Sequence, residues 1–139
     1  MSDKCFVDTN VLVYAQDRTA GTKYDVARNL VRRLWEAQQG VLSTQVLQEF
    51  CATLLRKVPQ PINYDAVEAA LADYFLWEVV VNTSRATLGA LRLQQRHSLS
   101  FWDALIVYSA QVAEAEVLYS EDLSHGQLYG AVRVVNPFL

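Results

Sequence analysis

The stretch Lys4-Cys5-Phe6-Val7-Asp8-Thr9-Asn10-Val11-Leu12 decides the fold. Cys5, Phe6 and Val7 make a short apolar run that suits a buried strand. The run breaks at Asp8-Thr9-Asn10, residue types that favour turns and helix caps over strand ladders. A buried strand ending in a carboxylate is the pattern of a parallel α/β sheet with a polar site at its C-terminal edge, where ligands of open α/β sheets bind. Asp8 is therefore the first candidate for an acidic, metal-binding site.

The pattern continues outward from that stretch. Residues 10–15 predict a short helical turn, and residues 16–22, with Gly21, a loop. Over residues 23–39, Tyr24, Ala27, Leu30, Val31, Leu34 and Trp35 recur at spacings of three and four, one face of an amphipathic helix. Arg28, Arg32 and Arg33 fall largely off that face, and Gly40 is placed to end the helix. Val41-Leu42 reads as a strand and Ser43-Thr44 as a cap. The next helix, residues 45–57, carries Val46, Leu47, Phe50, Leu54 and Val58 and is stopped by Pro59 and Pro61. Asn63 or Asp65 opens a helix to about residue 76. Residues 77–81 read as a strand, and Thr83 or Ser84 caps a helix over 85–96. Ser98-Leu99-Ser100 interrupts the pattern before a helix over 101–113. Residues 116–119 form a strand ending in Ser120-Glu121-Asp122. Residues 125–130 read as loop or a short turn, and 131–135 as the last strand. Strands alternating with helices predict a mostly parallel central sheet covered on both faces, a three-layer α/β/α sandwich.

The 139 residues contain no internal repeat, low-complexity segment or linker, so one domain over 1–139 is expected. Hydrophobic content of 52% with 5 Gly and 3 Pro suits a helix-rich domain with a core that needs no staples. No apolar run approaches the ~18 residues of a membrane span. Asp3 and Lys4 stand where a signal peptide would carry a basic region ahead of a long apolar stretch. A cytoplasmic protein with no membrane partner is the expectation. Cys5 and Cys51 form no metal-binding spacing and read as buried free thiols. The net charge of −3 excludes a strongly basic nucleic-acid coat. It leaves room for a nucleic-acid enzyme, because divalent cations reverse the sign of an acidic site.

Four acids stand out by position. Asp8 ends the first strand, and Glu49 lies near the start of the helix after the second. Asp103 lies in the first turn of the helix opened by Ser100, and Asp122 follows the strand ending at Tyr119. In a parallel sheet, strand C-termini and the N-termini of the following helices share one edge, so four distant segments deliver four carboxylates to one place. Carboxylates a few Å apart repel by ~1 kcal/mol in water and ~4 kcal/mol at an effective dielectric of 20. Mg²⁺ or Mn²⁺, which prefer oxygen ligands, turn that repulsion into binding. Alone, each acid has a plainer reading: Asp103 as part of an S-x-x-acid capping box, Glu49 as a solvated helix residue, Asp8 and Asp122 as turn residues. The functional reading rests on all four meeting at one edge.

Four segments carry a resemblance. They are Phe6-Val7-Asp8-Thr9-Asn10-Val11-Leu12, Leu42-Ser43-Thr44-Gln45-Val46-Leu47-Gln48-Glu49, Leu99-Ser100-Phe101-Trp102-Asp103-Ala104-Leu105-Ile106 and Leu118-Tyr119-Ser120-Glu121-Asp122-Leu123. In order and spacing they resemble the PIN domain, and most closely the VapC-like ribonuclease toxins of toxin–antitoxin pairs. The resemblance implies an α/β/α sandwich that cleaves RNA with Mg²⁺ or Mn²⁺. It maps Asp8, Glu49, Asp103 and Asp122 onto the acidic quartet, with Asp8, Asp103 and Asp122 near the metal. Glu49 would hold the metal directly or through water. Thr9, Asn10 and Ser120 fall on supporting polar positions that orient carboxylates or water. Glu121, adjacent to Asp122, is the alternative fourth acid. The resemblance also implies an antitoxin protein as partner and a homodimer. The apolar faces of the helices bearing Val46–Val58 and Val67–Tyr74, larger than one thin domain needs, point the same way.

Arg28, Arg32, Arg33, Arg56, Lys57, Arg85, Arg92 and Arg96 are candidates for phosphate contacts, or ordinary solvated helix positions. Trp35, Trp77 and Trp102 offer rings for base stacking, although their apolar neighbours favour core or interface packing. His97 and His125 are too few for a histidine zinc site, and His125 reads as a surface-loop residue. Asp8-Thr9-Asn10 after a first strand also resembles the phospho-acceptor of receiver domains and haloacid-dehalogenase-like phosphatases. Those folds need a late lysine, and this chain has lysine only at 4, 23 and 57. The remaining alternatives are a PIN-like scaffold that binds RNA or protein without cutting, and an RNA-processing nuclease outside toxin–antitoxin biology.

Overall fold

A computed structural model describes residues 3–56, 59 and 62–139. Its strands are β1 (Cys5–Val7), β2 (Gly40–Ser43), β3 (Glu78–Val80), β4 (Val117–Tyr119), β5 (Leu128–Tyr129) and β6 (Val132–Val135). Its helices are α1 (Thr9–Tyr14), α2 (Thr22–Ala37), α3 (Thr44–Arg56), α4 (Tyr64–Tyr74), α5 (Ser84–His97) and α6 (Phe101–Val112). One sheet runs in the order β3-β2-β1-β4-β6-β5, parallel throughout except for the β5–β6 hairpin. Within the helical layers, α1 packs on α2 and α3, α4 on α3, and α5 on α6. This is the α/β/α sandwich expected from the alternation of strands and helices.

β1 is central because it can be buried on both faces and both edges. Phe6 pairs with Val41 on one side and Leu118 on the other, and Phe6 and Val7 are fully buried. From β1 the chain moves outward to β2 and β3. From β4 it moves outward the other way, to β6 and β5. The direction therefore reverses between β1 and β4, and the crevice beyond their C-terminal ends is where a doubly wound sheet accommodates its ligand. Asp8 leaves one of these strands, and Ser120-Glu121-Asp122 leave the other.

Local chemistry explains most element boundaries. Asn63 caps α4 by accepting from the Ala66 amide, and Ser100 caps α6 by accepting from the Asp103 amide. Ser43, at the end of β2, accepts from the Val46 amide and so starts α3. Three expectations need correction. Gly40 does not end α2: Gln38 takes the left-handed C-cap at φ 56°, and Gly40 is already the first residue of β2. Glycine is required there because a Cβ would lie 2.2 Å from the Trp77 ring. The predicted loop 16–22 contains a 3-10 turn, Arg18–Ala20, capped by Asp17. The predicted loop 125–130 contains β5, a strand too short to leave a periodic signature.

Lys57, Val58 and Pro61, assigned above to the end of the third helix, lie outside the described residues. The apolar face of α3 is not surplus: Val46, Leu47, Phe50 and Leu54 are all buried in the core. The exposed apolar surface next to it sits instead beyond α4, at Phe75 and Leu76. Cys5 and Cys51 are free thiols, each partly buried. Among the described residues, no helix is long and apolar enough to cross a membrane.

Candidate active site

Asp8 is the anchor of the crevice. It sits one residue past β1, its backbone amide still bonded to the Tyr119 carbonyl, and it caps α1. Its Oδ1 accepts from the Thr9 amide at 2.7 Å, and its Oδ2 accepts from the Ser120 hydroxyl at 2.7 Å. The side chain is 5% exposed. Burial pushes its pKa up to about 7, the charges of Asp122 and Glu49 add to the rise, and the bonds from Ser120 and Thr9 oppose it.

The other residues are tied to Asp8 through short polar links. The Ser120 oxygen also accepts from the Asp122 amide at 3.1 Å, so one buried hydroxyl holds both strand ends. Asn10 Nδ2 donates to Asp122 Oδ2 at 3.0 Å. Thr9 Oγ1 donates to Glu49 Oε2 at 3.1 Å, and Gln45 Nε2 donates to Glu49 Oε1 at 2.9 Å. Thr9, Asn10 and Ser120 thus lie beside the carboxylates. Asp103 joins the group through its charge: burial raises its pKa, the charges of Asp122 and Glu49 add to this, and Ser100 opposes it. All four acids from four separate elements occupy one sheet edge.

Asp122, not Glu121, faces this cluster. Glu121 turns away, accepting from Tyr14 Oη at 2.6 Å and pairing with Lys23 Nζ at 2.8 Å. Burial pushes the Glu121 carboxyl up, but the bonds from Lys23 and Tyr14 outweigh it and leave the group below its ordinary value. Lys23 is therefore engaged with Glu121, one residue from Asp122.

Two participants escaped the reading of the sequence. Gln45 is 6% exposed and packs between Glu49 and the Trp102 carbonyl. Its place four residues before Glu49, on the same helical face, was the available signal. Asn82 had none. Its side chain accepts from the Thr44 hydroxyl and the Gln45 amide and donates to Ser109, latching the start of α3 to α6. Trp35 and Trp77 pack together with Tyr74, as expected for packing rings. Trp102 does not pack inward: it is 63% exposed, one residue before Asp103. His125 accepts from the Asn136 amide in an exposed loop. Arg28 and Arg32 line a cavity of about 460 Å³ with Arg18, Tyr24 and Trp35. A second cavity, about 860 Å³, is lined by Lys4, Gln111 and Glu116, and none of the four acids lines it.

The donor set suits a hard divalent cation. It consists of carboxylate, hydroxyl and amide oxygens, with no thiol or imidazole. The buried amide oxygens Asn10 Oδ1 and Gln45 Oε1 find no hydrogen-bond partner among the described residues. Among the described residues, no group of three or more His, Cys, Asp or Glu side chains is already placed to hold a metal ion.

The PIN domain family model matches residues 5–130. The fold is similar to that of VapC20 of Mycobacterium tuberculosis, a sarcin–ricin-loop-cleaving toxin, with TM-score 0.65 and 22% identity over 84% of this chain and 88% of that one. It is similar to a toxin–antitoxin complex from Klebsiella pneumoniae, with TM-score 0.70 and 18% identity over 96% and 98%. It is also similar to VapBC2 from Rickettsia felis bound to a promoter DNA fragment, with TM-score 0.58 and 19% identity over 84% and 85%. No curated protein matches the chain in sequence. At such identities the solved structures speak for the fold, and the family match over most of the chain makes it a member of the PIN domain family.

Proposed function

We propose that this chain is a metal-dependent endoribonuclease that cleaves RNA phosphodiester bonds, the toxin of a toxin–antitoxin pair, working in the cytoplasm as a single domain over residues 1–139. The observation that carries this reading is the burial of Asp8 with its proton affinity raised, at the edge where Glu49, Asp103 and Asp122 also gather. A carboxylate kept in so dry a place is costly without a cation. A scaffold that binds without cutting has no use for it.

Asp8, Asp103 and Asp122 would hold Mg²⁺ or Mn²⁺, with Glu49 doing so directly or through water. When bound, such an ion supplies a Lewis acid for a phosphodiester oxygen and makes water more acidic. The chain's own residues supply the rest. The Ser120 hydroxyl and the Thr9 amide keep Asp8 oriented, and Asn10 fixes Asp122. Exposure rises from Asp8 through Asp103 to Asp122, so an RNA strand reaches the acids from the Asp122 side. The helix arginines provide phosphate contacts that position it. An antitoxin protein is the partner, a reading supported by similarity to solved toxin–antitoxin complexes, and a second copy of the chain completes the assembly.

The test is cleavage of a mixed structured RNA by purified protein, in Mn²⁺ or Mg²⁺ against EDTA, beside Asp8→Asn and Asp103→Asn. Metal-dependent cutting lost in both variants is the expected result. Equal cutting by native protein and variants overturns the assigned site, and undiminished cutting in EDTA overturns the metal dependence.

A further inference from the structure

We infer that Asn82 is a positioning residue for the acidic site: its side chain holds α6, and Asp103 with it, in register with Glu49 on α3. The catalytic side of this rests on the nuclease reading above and adds a residue outside the four acids.

Three of the acids share one chain of hydrogen bonds along the sheet edge. Gln45 Nε2 donates to Glu49 Oε1 at 2.9 Å, and the Thr9 hydroxyl donates to Glu49 Oε2 at 3.1 Å. The Thr9 amide donates to Asp8, Ser120 joins Asp8 to the Asp122 amide, and Asn10 donates to Asp122. Asp103 stands outside that chain. Its neighbour in the hydrogen-bond pattern is Ser100, the cap of its own helix. The place of Asp103 therefore follows that of α6.

What fixes α6 is the question. The helix packs on α5, and its buried face is mostly apolar, with Ala104, Leu105, Ile106, Val107 and Ala110. Apolar burial is non-directional, whereas a hydrogen bond has a narrow geometry and so fixes register. Among the described residues, two hydrogen bonds draw α6 toward the start of α3. Gln45 Nε2 reaches the Trp102 carbonyl at 3.3 Å, with a group it also gives to Glu49. Asn82, two residues past β3, supplies the shorter bond, from Nδ2 to Ser109 Oγ at 2.8 Å. Its Oδ1 accepts from the Thr44 hydroxyl at 3.1 Å and the Gln45 backbone amide at 3.2 Å.

The Asn82 amide has only one workable orientation. The Gln45 backbone amide is a donor only, and the single Ser109 hydrogen goes to the Leu105 carbonyl at 3.0 Å, so Ser109 must accept. Ser109 is fully buried, which keeps water from competing for the bond. It lies about 9 Å along the axis of α6 from Asp103. One side chain thus ties the first turn of the helix that carries Glu49 to the middle of the helix that carries Asp103.

The experiment compares Ser109→Ala, Asn82→Ala and the double variant with the native full chain. Ser109→Ala is the informative one, since it cuts the α6 end of the latch and leaves α3 capped. Cleavage of the structured RNA in Mn²⁺, well below melting, should show kcat lowered on the order of 10–100-fold, the effect of misplacing a group at the reacting centre by about 1 Å. KM should be unchanged, and the melting temperature should stay within a few degrees of native. Asn82→Ala should lose at least as much kcat, and the double variant no more than Asn82→Ala, because both remove the same bond. Without RNA, the side-chain amide signals of Gln45 in nuclear magnetic resonance should shift in Ser109→Ala, because the Gln45 bond to the Trp102 carbonyl spans the same gap. Native kcat in Ser109→Ala overturns the inference, as does a loss that tracks the melting temperature or appears in KM alone. If Asn82→Ala does not fold for want of the α3 cap, Ser109→Ala decides. A native chain that cuts no RNA overturns the nuclease reading alone; the Gln45 signals then judge the latch, and unmoved signals overturn it.

Discussion

The Ser120 hydroxyl donates to Asp8 Oδ2 at 2.7 Å across 112 positions of sequence, and the same oxygen accepts from the Asp122 amide at 3.1 Å. One buried hydroxyl thereby joins the ends of the two strands between which the sheet reverses direction. The deepest carboxylate is held from both sides by donors, yet burial still outweighs them and raises its pKa.

This balance fixes a pH signature in the metal-free protein. The folded pKa of Asp8, about 7, lies above the ordinary value of 3.8, so between these two the native state keeps a proton that the unfolded state has released. The group's contribution to stability is full below about pH 4 and is lost as pH rises through 7. In EDTA, Asp8→Asn should therefore be increasingly more stable than the native chain from pH 4 to 7, levelling off above. At ~1.4 kcal/mol per pH unit the gain is bounded by ~4 kcal/mol. Urea unfolding across that range checks it. A difference that is flat with pH would show that Asp8 titrates normally.

The Lys23–Glu121 pair should matter more for the site than for the fold. Glu121 is held below its ordinary value of 4.5, so the pair persists above that pH and is lost as pH falls below it. A partly exposed pair of this kind contributes little to stability and is screened by salt. It does, however, fix the residue next to Asp122. Glu121→Gln should leave the melting temperature nearly unchanged while lowering RNA cleavage ~10-fold. Salt should reduce native cleavage more steeply than that of the variant. A parallel loss of melting temperature and activity would instead assign the pair to the fold.

Gly40→Ala should destabilise the chain. The added methyl would meet the Trp77 ring at 2.2 Å, in a cluster that Trp77 forms with Trp35 and Tyr74. Overpacking of this kind costs ~1–3 kcal/mol. A double-mutant cycle with Trp77→Leu, read by urea unfolding, should recover much of that cost. Additive losses would mean the clash is relieved elsewhere.

Trp102→Ala should act on RNA rather than on folding. The ring is 63% exposed beside Asp103 and touches Phe101 edge-on at 5.2 Å. Stacking a base on such a ring contributes ~1–3 kcal/mol. Removing it should raise KM about 5- to 150-fold, at ~1.4 kcal/mol per tenfold, with kcat little changed, and stability should move by no more than ~0.5 kcal/mol. An unchanged KM places the RNA path on another side of the acids.

The legible parts of this protein are those governed by short-range free energies. The apolar run Cys5-Phe6-Val7 stopped by Asp8, the caps at Asn63 and Ser100, and the three-and-four spacing along α2 each depend on neighbours a few residues away. From these follow a parallel α/β sheet and four acids at its C-terminal edge. Several features lay beyond that range. The choice of Asp122 over Glu121 depends on Lys23 and Tyr14 reaching Glu121 across 98 and 107 positions. The glycine at position 40 answers to a ring at 77, the orientation of the Gln45 amide to Glu49 and Trp102, and the clamp at Asn82 to two other elements. By itself, then, the sequence determined which groups could meet at the sheet edge, through periodicity and caps. Strand order and packing decided which of them face one another, because a side chain's partner is set by whatever the fold brings across the gap.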